Sequence, residues 1–206
     1  MTVTRERFEQ GMTYDDYKAQ MTRNRERLEE NERTVELSTD DIEFFANLPE
    51  PLNVLVITED WCGDAIANVP ILGRLAAESG NLNLRIFLRD QNPDLMDRYL
   101  NQGIHRSIPV FAFFDQQFRP IGHWIERPAV ITEMQEKMLA NLYATDPAFA
   151  GVVPGTSIAV MPDAARARLM QAFAAFRVET RQLADCEVVR ELRELISRGL
   201  ALRQEG

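Results

Sequence analysis

Residues 53–70 read NVLVITEDWCGDAIANVP, and the assignment of the whole chain turns on them. NVLVIT, 53–58, is a short apolar run rich in β-branched residues and bounded by turn-forming ones, the pattern of a strand buried on both faces. From about Cys62 to Ser79 the pattern becomes helical, with Gly80 and Asn81 as its stop. Cys62 therefore stands where a strand hands over to a helix, next to Trp61. Three positions on, where a second thiol would complete C-x-x-C, the residue is Ala65.

Working outward toward the C-terminus, Leu82–Leu88 (LNLRIFL) alternates as a strand does. Pro93 opens a further helix ending near Gly103, and PVFAFF, 109–114, is a third strand. Gln116–Phe118 turns the chain into a fourth strand over about 119–125, and a helix over about 128–143 closes the block. The order β-α-β-α-β-β-α predicts parallel pairing for the early strands and an antiparallel hairpin for the late pair. The fold class is α/β: a mixed sheet with helices on its faces.

Outward in the other direction, residues 14–31 read as one amphipathic helix with Tyr17, Met21 and Leu28 on one face. Thr13 and Asp16 have capping-box spacing. A short helix is expected from residues 39–41 to before Pro49 and Pro51. The tail begins with a loop rich in Pro, Gly and small residues, 146–161, and continues in a helix that Asp163 is placed to cap. Its stripe of Leu169, Phe173, Phe176, Leu183, Val189, Leu192 and Ile196 slips in phase around Asp185, which predicts a bend rather than a long coiled coil. The stripe must pack on the core, on the N-terminal helix or on a second copy, so the chain is read as a monomer or as a homodimer through the C-terminal helix. Glu179, Arg181, Glu191 and Arg193 are expected on the wetter faces. These observations divide the chain into an N-terminal helical extension (1–33), an α/β domain (34–145), and a loop with a C-terminal helical extension (146–206).

Composition narrows the functions. A net charge of −9 disfavours a nucleic-acid backbone or an anionic membrane as partner, since either would repel the chain. No apolar run approaches the length of about 18 residues that a spanning helix needs, and MTVTRERFEQ lacks the apolar segment of a secretory signal. Two cysteines, Cys62 and Cys186, far apart, are no disulfide framework and fit a reducing, cytoplasmic setting. Neither they nor His105 and His123 have metal-ligand spacing, so no metal and no cofactor is expected.

Three separated features then resemble the thioredoxin family. WCGDA follows a buried strand and opens a helix, where that family has W-C-G-P-C. LRDQNP, 88–93, ends the next strand with a similar loop. GIHRSIPV, 103–110, matches the approach to the family's cis-proline, and Ile121-Gly122 matches the glycine of its final strand. The resemblance implies a thioredoxin-like mixed sheet with helices on both faces, to which the N- and C-terminal extensions are added. It implies that Pro109 is cis, that Ile108 offers its N–H and C=O to an extended peptide or small thiol, and that Trp61 walls the same groove. It names Arg106 as the cation nearest Cys62.

The chemistry follows from Cys62. A thiolate at a helix N-terminus is favoured by unpaired amides and the helix dipole, and the thiolate is what attacks a disulfide. Glu59, Asp60 and Asp64 oppose a further negative charge, and the residues leave that balance open. Ala65 removes the thiol that would resolve a mixed disulfide, and Val56 stands where the family carries a buried acid. The first reading is monothiol thiol-disulfide exchange through Cys62 with a protein or low-molecular-weight thiol. The alternative is a redox-inactive thioredoxin-fold module that binds a protein partner beside Trp61 and Pro109. A third option is an iron–sulfur cluster shared between two copies. His105 and His123 read as solvated, Glu59 and Asp60 as a solvated loop, and Cys186 as a half-buried helix residue.

Overall fold

The computed structural model describes residues 3–204. Its strands are β1 (Leu52–Thr58), β2 (Leu82–Leu88), β3 (Val110–Phe114) and β4 (Pro120–Ile125). Its helices are α1 (Arg5–Glu9), α2 (Tyr14–Gln20), α3 (Arg25–Thr34), α4 (Thr39–Ala46), α5 (Gly63–Ser79), α6 (Pro93–Met96), α7 (Ala129–Thr145), α8 (Asp163–Glu179) and α9 (Arg181–Gln204). The sheet order is β2-β1-β3-β4. β1 runs parallel to β2 and antiparallel to β3, and β3 pairs antiparallel with β4. This is the mixed sheet that the connection lengths imply.

The chain divides into two compact units, one made of the residues up to Arg127 together with those from Val188 onward, the other of Pro128–Glu187. In the first, every residue of β1 is buried, as its unbroken apolar run requires of a central strand. Val54 and Val56 face one cluster, with Phe111, Phe113, Trp124, the apolar side of α5 and residues of α2 to α4. Leu55 and Ile57 face the other, with Phe87, Phe8, Leu95, Met96 and Ile108. Helices therefore pack on both faces. At the outer edge of β2, Met12 exchanges both backbone hydrogen bonds with Ile86 (3.0 and 2.8 Å), which covers part of an otherwise open strand edge.

The same first cluster holds Val188, Val189, Leu192 and Ile196. The last turns of the chain thus complete the core around the sheet. Gly199 and Gly122 permit the close approach: a Cβ on Gly199 would lie 2.4 Å from the Ile121 carbonyl oxygen, and one on Gly122 2.7 Å from Leu195. Trp124 donates its indole N–H to Glu191 (2.7 Å), and Arg193 pairs with Asp41. Glu191 and Arg193, expected on wet faces, hold the helix to the core instead. Arg203 reaches the fully buried carboxylate of Asp115 (2.7 Å), which also accepts from Arg119 Nε (2.6 Å) and from the amides of Gln117 and Arg119.

In the second unit, Phe149, Met161, Ala165 and Leu169 form a core with Leu139, Leu142, Tyr143 and Phe173. The helix expected to close the thioredoxin-like block, α7, therefore spends its apolar face here. Arg168 pairs with Asp146 (2.7 Å) across the loop.

Other differences are local. The pattern over 14–31 is two helices. α2 carries the expected capping box from Thr13 and Asp16, but the chain then breaks at residues 21–24, with Asn24 left-handed (φ 54°). The break lets the Asp60 carboxylate accept from the amides of Thr22 (2.8 Å) and Arg23 (3.0 Å). α6 ends after one turn, at Met96, rather than near Gly103; beyond it Gln102 and Gly103 both adopt positive φ and Asn101 pairs with His105. The tail bends at Thr180, whose hydroxyl bonds back to the Phe176 carbonyl (2.7 Å), five residues before the expected slip. Asp163 is the first residue of α8 and makes no cap, pairing with Arg166 instead, and Leu183 of the stripe is exposed.

Candidate functional site

Strand β1 delivers the chain to the sheet's end at Thr58, and α5 begins at Gly63 with Cys62 as its N-cap in extended conformation. Cys62 is a half-buried thiol that touches both clusters. Its sulfur caps no amide of α5; the S–H donates to the carbonyl of Ile108 at 3.4 Å. The Ile108–Pro109 peptide is cis, and the Ile108 side chain is buried. The structure thus brings Cys62, Ile108 and Pro109 together. Trp61 lies beside them, 42% exposed, with the Arg89 guanidinium 4.7 Å over its ring. Ala65 and Val56 are fully buried.

The acids before Cys62 are not a solvated loop. Glu59 is buried, and its carboxylate accepts the Asp90 amide (2.9 Å). Burial, aided by the nearby Asp90 charge, pushes its pKa above the ordinary value against the opposing effect of that amide and Arg89. Asp60 anchors residues 22–24, as described above. Tyr17, fully buried, belongs to the same neighbourhood: burial first, then the charges of Asp60, Glu59 and Cys62, drive its pKa upward, while Thr58 draws it down. The hydroxyls of Tyr17 and Thr58 adjoin without meeting hydrogen-bond geometry.

Arg106 does not serve Cys62. It makes a two-pronged pair with Asp97 (2.7 and 2.9 Å). The cation that interacts electrostatically with the cysteine is Arg127, just after β4. Burial weighs against its charge, but Asp64, Glu126 and Cys62 outweigh that and raise its pKa above the ordinary arginine value. Its Nη2 pairs with Asp64 (2.6 Å) and with Glu126, and its Nε–H is buried without an acceptor. Glu126 has positive φ (71°). It is held there by its amide on the Pro109 carbonyl (2.8 Å) and by Asn101, which donates to its carboxylate (3.0 Å). Asn68 of α5 donates to the Glu126 carbonyl (2.9 Å). Sequence reasoning missed Arg89, Glu126 and Arg127. The signal for the last two was ERP, 126–128, a charged pair ending a strand that leads back to the proline loop.

His105 is exposed, as expected of a solvated residue, and His123 sets its ring edge against Tyr99 (5.3 Å). Cys186 is exposed rather than half-buried. Among the described residues no group of three His, Cys, Asp or Glu side chains is placed to hold a metal ion, and no helix is long and apolar enough to cross a membrane.

With the sheet order and the strand–cysteine–helix geometry in place, comparison with known proteins gives the family. A family model described as Thioredoxin (Thioredoxin_9) matches residues 11–139, well over half of the chain. The chain belongs to the thioredoxin family. Two solved structures share the thioredoxin-like fold. One is an HIV epitope scaffold, with TM-score 0.63, 15% identity, and coverage of 92% of this chain and 94% of the scaffold. The other is a protein of unknown function from Pseudomonas aeruginosa, with TM-score 0.57, 16% identity, and coverage of 84% and 98%. At these identities they speak for the fold alone. No curated protein matches the chain.

Proposed function

We propose that this thioredoxin-family chain performs monothiol thiol-disulfide exchange through Cys62. The observation that carries the reading is the seating of a single thiol as the N-cap of α5, with its sulfur on the Ile108 carbonyl beside cis-Pro109 and an alanine buried at the resolving position. The Cys62 thiolate attacks one sulfur of a disulfide, forming a Cys62 mixed disulfide and releasing the other half as a thiolate that takes up a proton. An external thiolate then attacks the mixed disulfide, regenerating the Cys62 thiolate and carrying away the bound half as a new disulfide. Electrons balance without a further oxidant or reductant. Departure of the Cys62 proton frees the Ile108 carbonyl for a backbone N–H of a bound peptide, while Trp61 offers an exposed apolar wall.

The rival, a redox-inactive binding module, draws on the same bond read the other way: a thiol that donates to a carbonyl, near two carboxylates, is stabilised as a thiol. Mass spectrometry of the Cys186→Ser chain with a disulfide probe such as oxidised glutathione separates the two. Exchange predicts one adduct at Cys62, reversed by free thiol, with little turnover in a dithiol-type disulfide reduction assay and a gain of turnover in Ala65→Cys. A folded chain that forms no adduct at Cys62 ends the exchange reading. Robust turnover without Cys186 ends the monothiol one.

A further inference from the structure

The Cys62 thiol has a hydrogen-bond acceptor, the Ile108 carbonyl at 3.4 Å, but its sulfur caps no amide of α5. Loss of the proton reverses what the sulfur needs. A thiolate accepts hydrogen bonds, and it would then face a carbonyl oxygen that repels it. A further donor would favour the thiolate.

Arg127 has one to give. Its Nη2 is engaged by Asp64 and Glu126, which fix the guanidinium plane, while the Nε–H is buried with no acceptor. A buried donor without a partner is costly and rare, and it calls for an explanation. Arg127 and Cys62 also interact electrostatically, the negative form of one favouring the positive form of the other.

We infer that Arg127 is the positioning residue that receives the Cys62 thiolate, offering its buried Nε–H while Asp64 and Glu126 hold the guanidinium in place. The inference rests on the exchange reading for its purpose, though not for its test. It also gives a meaning to the aspartate of WCGDA. Asp64 orients the arginine, yet its charge opposes a second anion at Cys62. Thiolate formation releases its proton to solvent and needs no co-reactant.

The other charged groups near Cys62 are already engaged. Glu59, after β1, is tied to the Asp90 amide, and Asp60 to the amides of residues 22 and 23. Glu126, after β4, is shared by Arg127 and Asn101. Burial raises the pKa of Tyr17 of α2 and so favours its neutral form. Arg89 lies over Trp61 and pairs with Asp90.

The test is the pH dependence of Cys62 alkylation by iodoacetamide in a Cys186→Ser background, with folding checked by circular dichroism. Arg127→Met is expected to raise the midpoint by about one pH unit and so to lower the thiolate fraction at neutral pH about tenfold. Arg127→Lys, which keeps the charge, should fall between. Asp64→Asn, which keeps an oxygen for Nη2 but removes the charge, should move the midpoint downward. A purely structural role would lower the melting temperature and leave these opposite shifts absent. An unchanged midpoint in folded Arg127→Met overturns the inference, as do shifts of the same sign in Arg127→Met and Asp64→Asn. If Arg127→Met does not fold, unchanged midpoints in both Arg127→Lys and Asp64→Asn overturn it equally. Iodoacetamide reads the thiolate whether or not a disulfide partner exists. Shifts as stated in a chain that forms no mixed disulfide would end the exchange reading and leave this one standing; normal mixed-disulfide formation without shifts would do the reverse.

Discussion

Two charge clusters in the sheet-bearing unit have opposite stoichiometry. Around Asp115, one carboxylate is shared by two guanidiniums and two amides, and the acid is fully enclosed. Around Arg127, one guanidinium is shared by two carboxylates, has a buried N–H without an acceptor, and interacts electrostatically with Cys62. The first is closed: every lone pair that matters has a donor, and its members tie β3, β4 and the end of α9 together. The second is open, with excess negative charge and an unfilled donor. A satisfied cluster serves stability, whereas an unsatisfied one beside a nucleophile is where chemistry can be tuned.

Breaking the closed cluster should have the largest effect. Asp115→Ala strips a buried acceptor from two cations and is expected to cost roughly 3–5 kcal/mol, read by chemical denaturation, with no change in the pH midpoint of Cys62 alkylation. A matching shift at Cys62 would mean the two clusters are not independent. The pH dependence has a defined sign. Burial alone would raise the Asp115 pKa, but the Arg119 amide and guanidinium, the Gln117 amide and Arg203 outweigh it and hold it below the ordinary value. The associated stability is present above the unfolded carboxylate pKa of about 3.9 and is lost as pH falls through the lower folded value. Wild type should therefore lose stability in acid more steeply than Asp115→Ala.

Removing one of two donors should do less. Arg203→Met leaves Asp115 with Arg119 and the amides, and a loss of about 1–3 kcal/mol is expected for one charged hydrogen-bonding partner. A loss equal to that of Asp115→Ala would show that the cluster acts as one unit. In the open cluster, Asp64→Asn should change stability by no more than about 1 kcal/mol, the scale of a helix N-terminal charge, while moving the Cys62 midpoint. That contrast in readout is the sharpest form of the comparison.

The smallest effect belongs to Glu59. Its folded pKa is raised, so its contribution is most favourable below the unfolded value and declines as pH rises through the folded one. Glu59→Gln keeps an acceptor for the Asp90 amide. It should match wild type in acid and gain a few tenths of a kcal/mol toward neutral pH, on the scale of ordinary surface substitutions. A wild type that gains on the variant as pH rises would contradict the sign.

The fold was legible because its signals are local. An unbroken apolar run reads as a central strand wherever it is met, Gly80 stops α5 with a left-handed cap, and connection lengths set the strand directions. The cysteine and the proline loop were legible for the same reason. What lay beyond reading was pairing at a distance. Asp64 and Arg127 lie far apart in sequence, and Arg106 was a better guess from proximity to Pro109 until its partner Asp97 came into view. The cover of the sheet was hidden too. α7 and the end of α9 both carry apolar faces, and only packing distinguishes the one that joins Trp124 and Phe111 from the one that joins Phe149 and Leu169.

The placing of Val188, Val189, Leu192 and Ile196 in the sheet's cluster has a consequence for how the chain is made. Residues 128–187 are spelled out between the sheet and the helix that finishes its core. Until residues 188–196 have been made, the cluster that holds Trp124 and Phe111 lacks part of its apolar cover. The sheet-bearing unit is completed only by closing a long intervening segment, and such non-local contacts are slow to form. The core of the intervening unit, by contrast, is drawn from residues close together in sequence, Leu139 to Phe173, and local contacts of that kind form fast. The sheet-bearing unit is thus split in sequence, its two parts separated by residues 128–187.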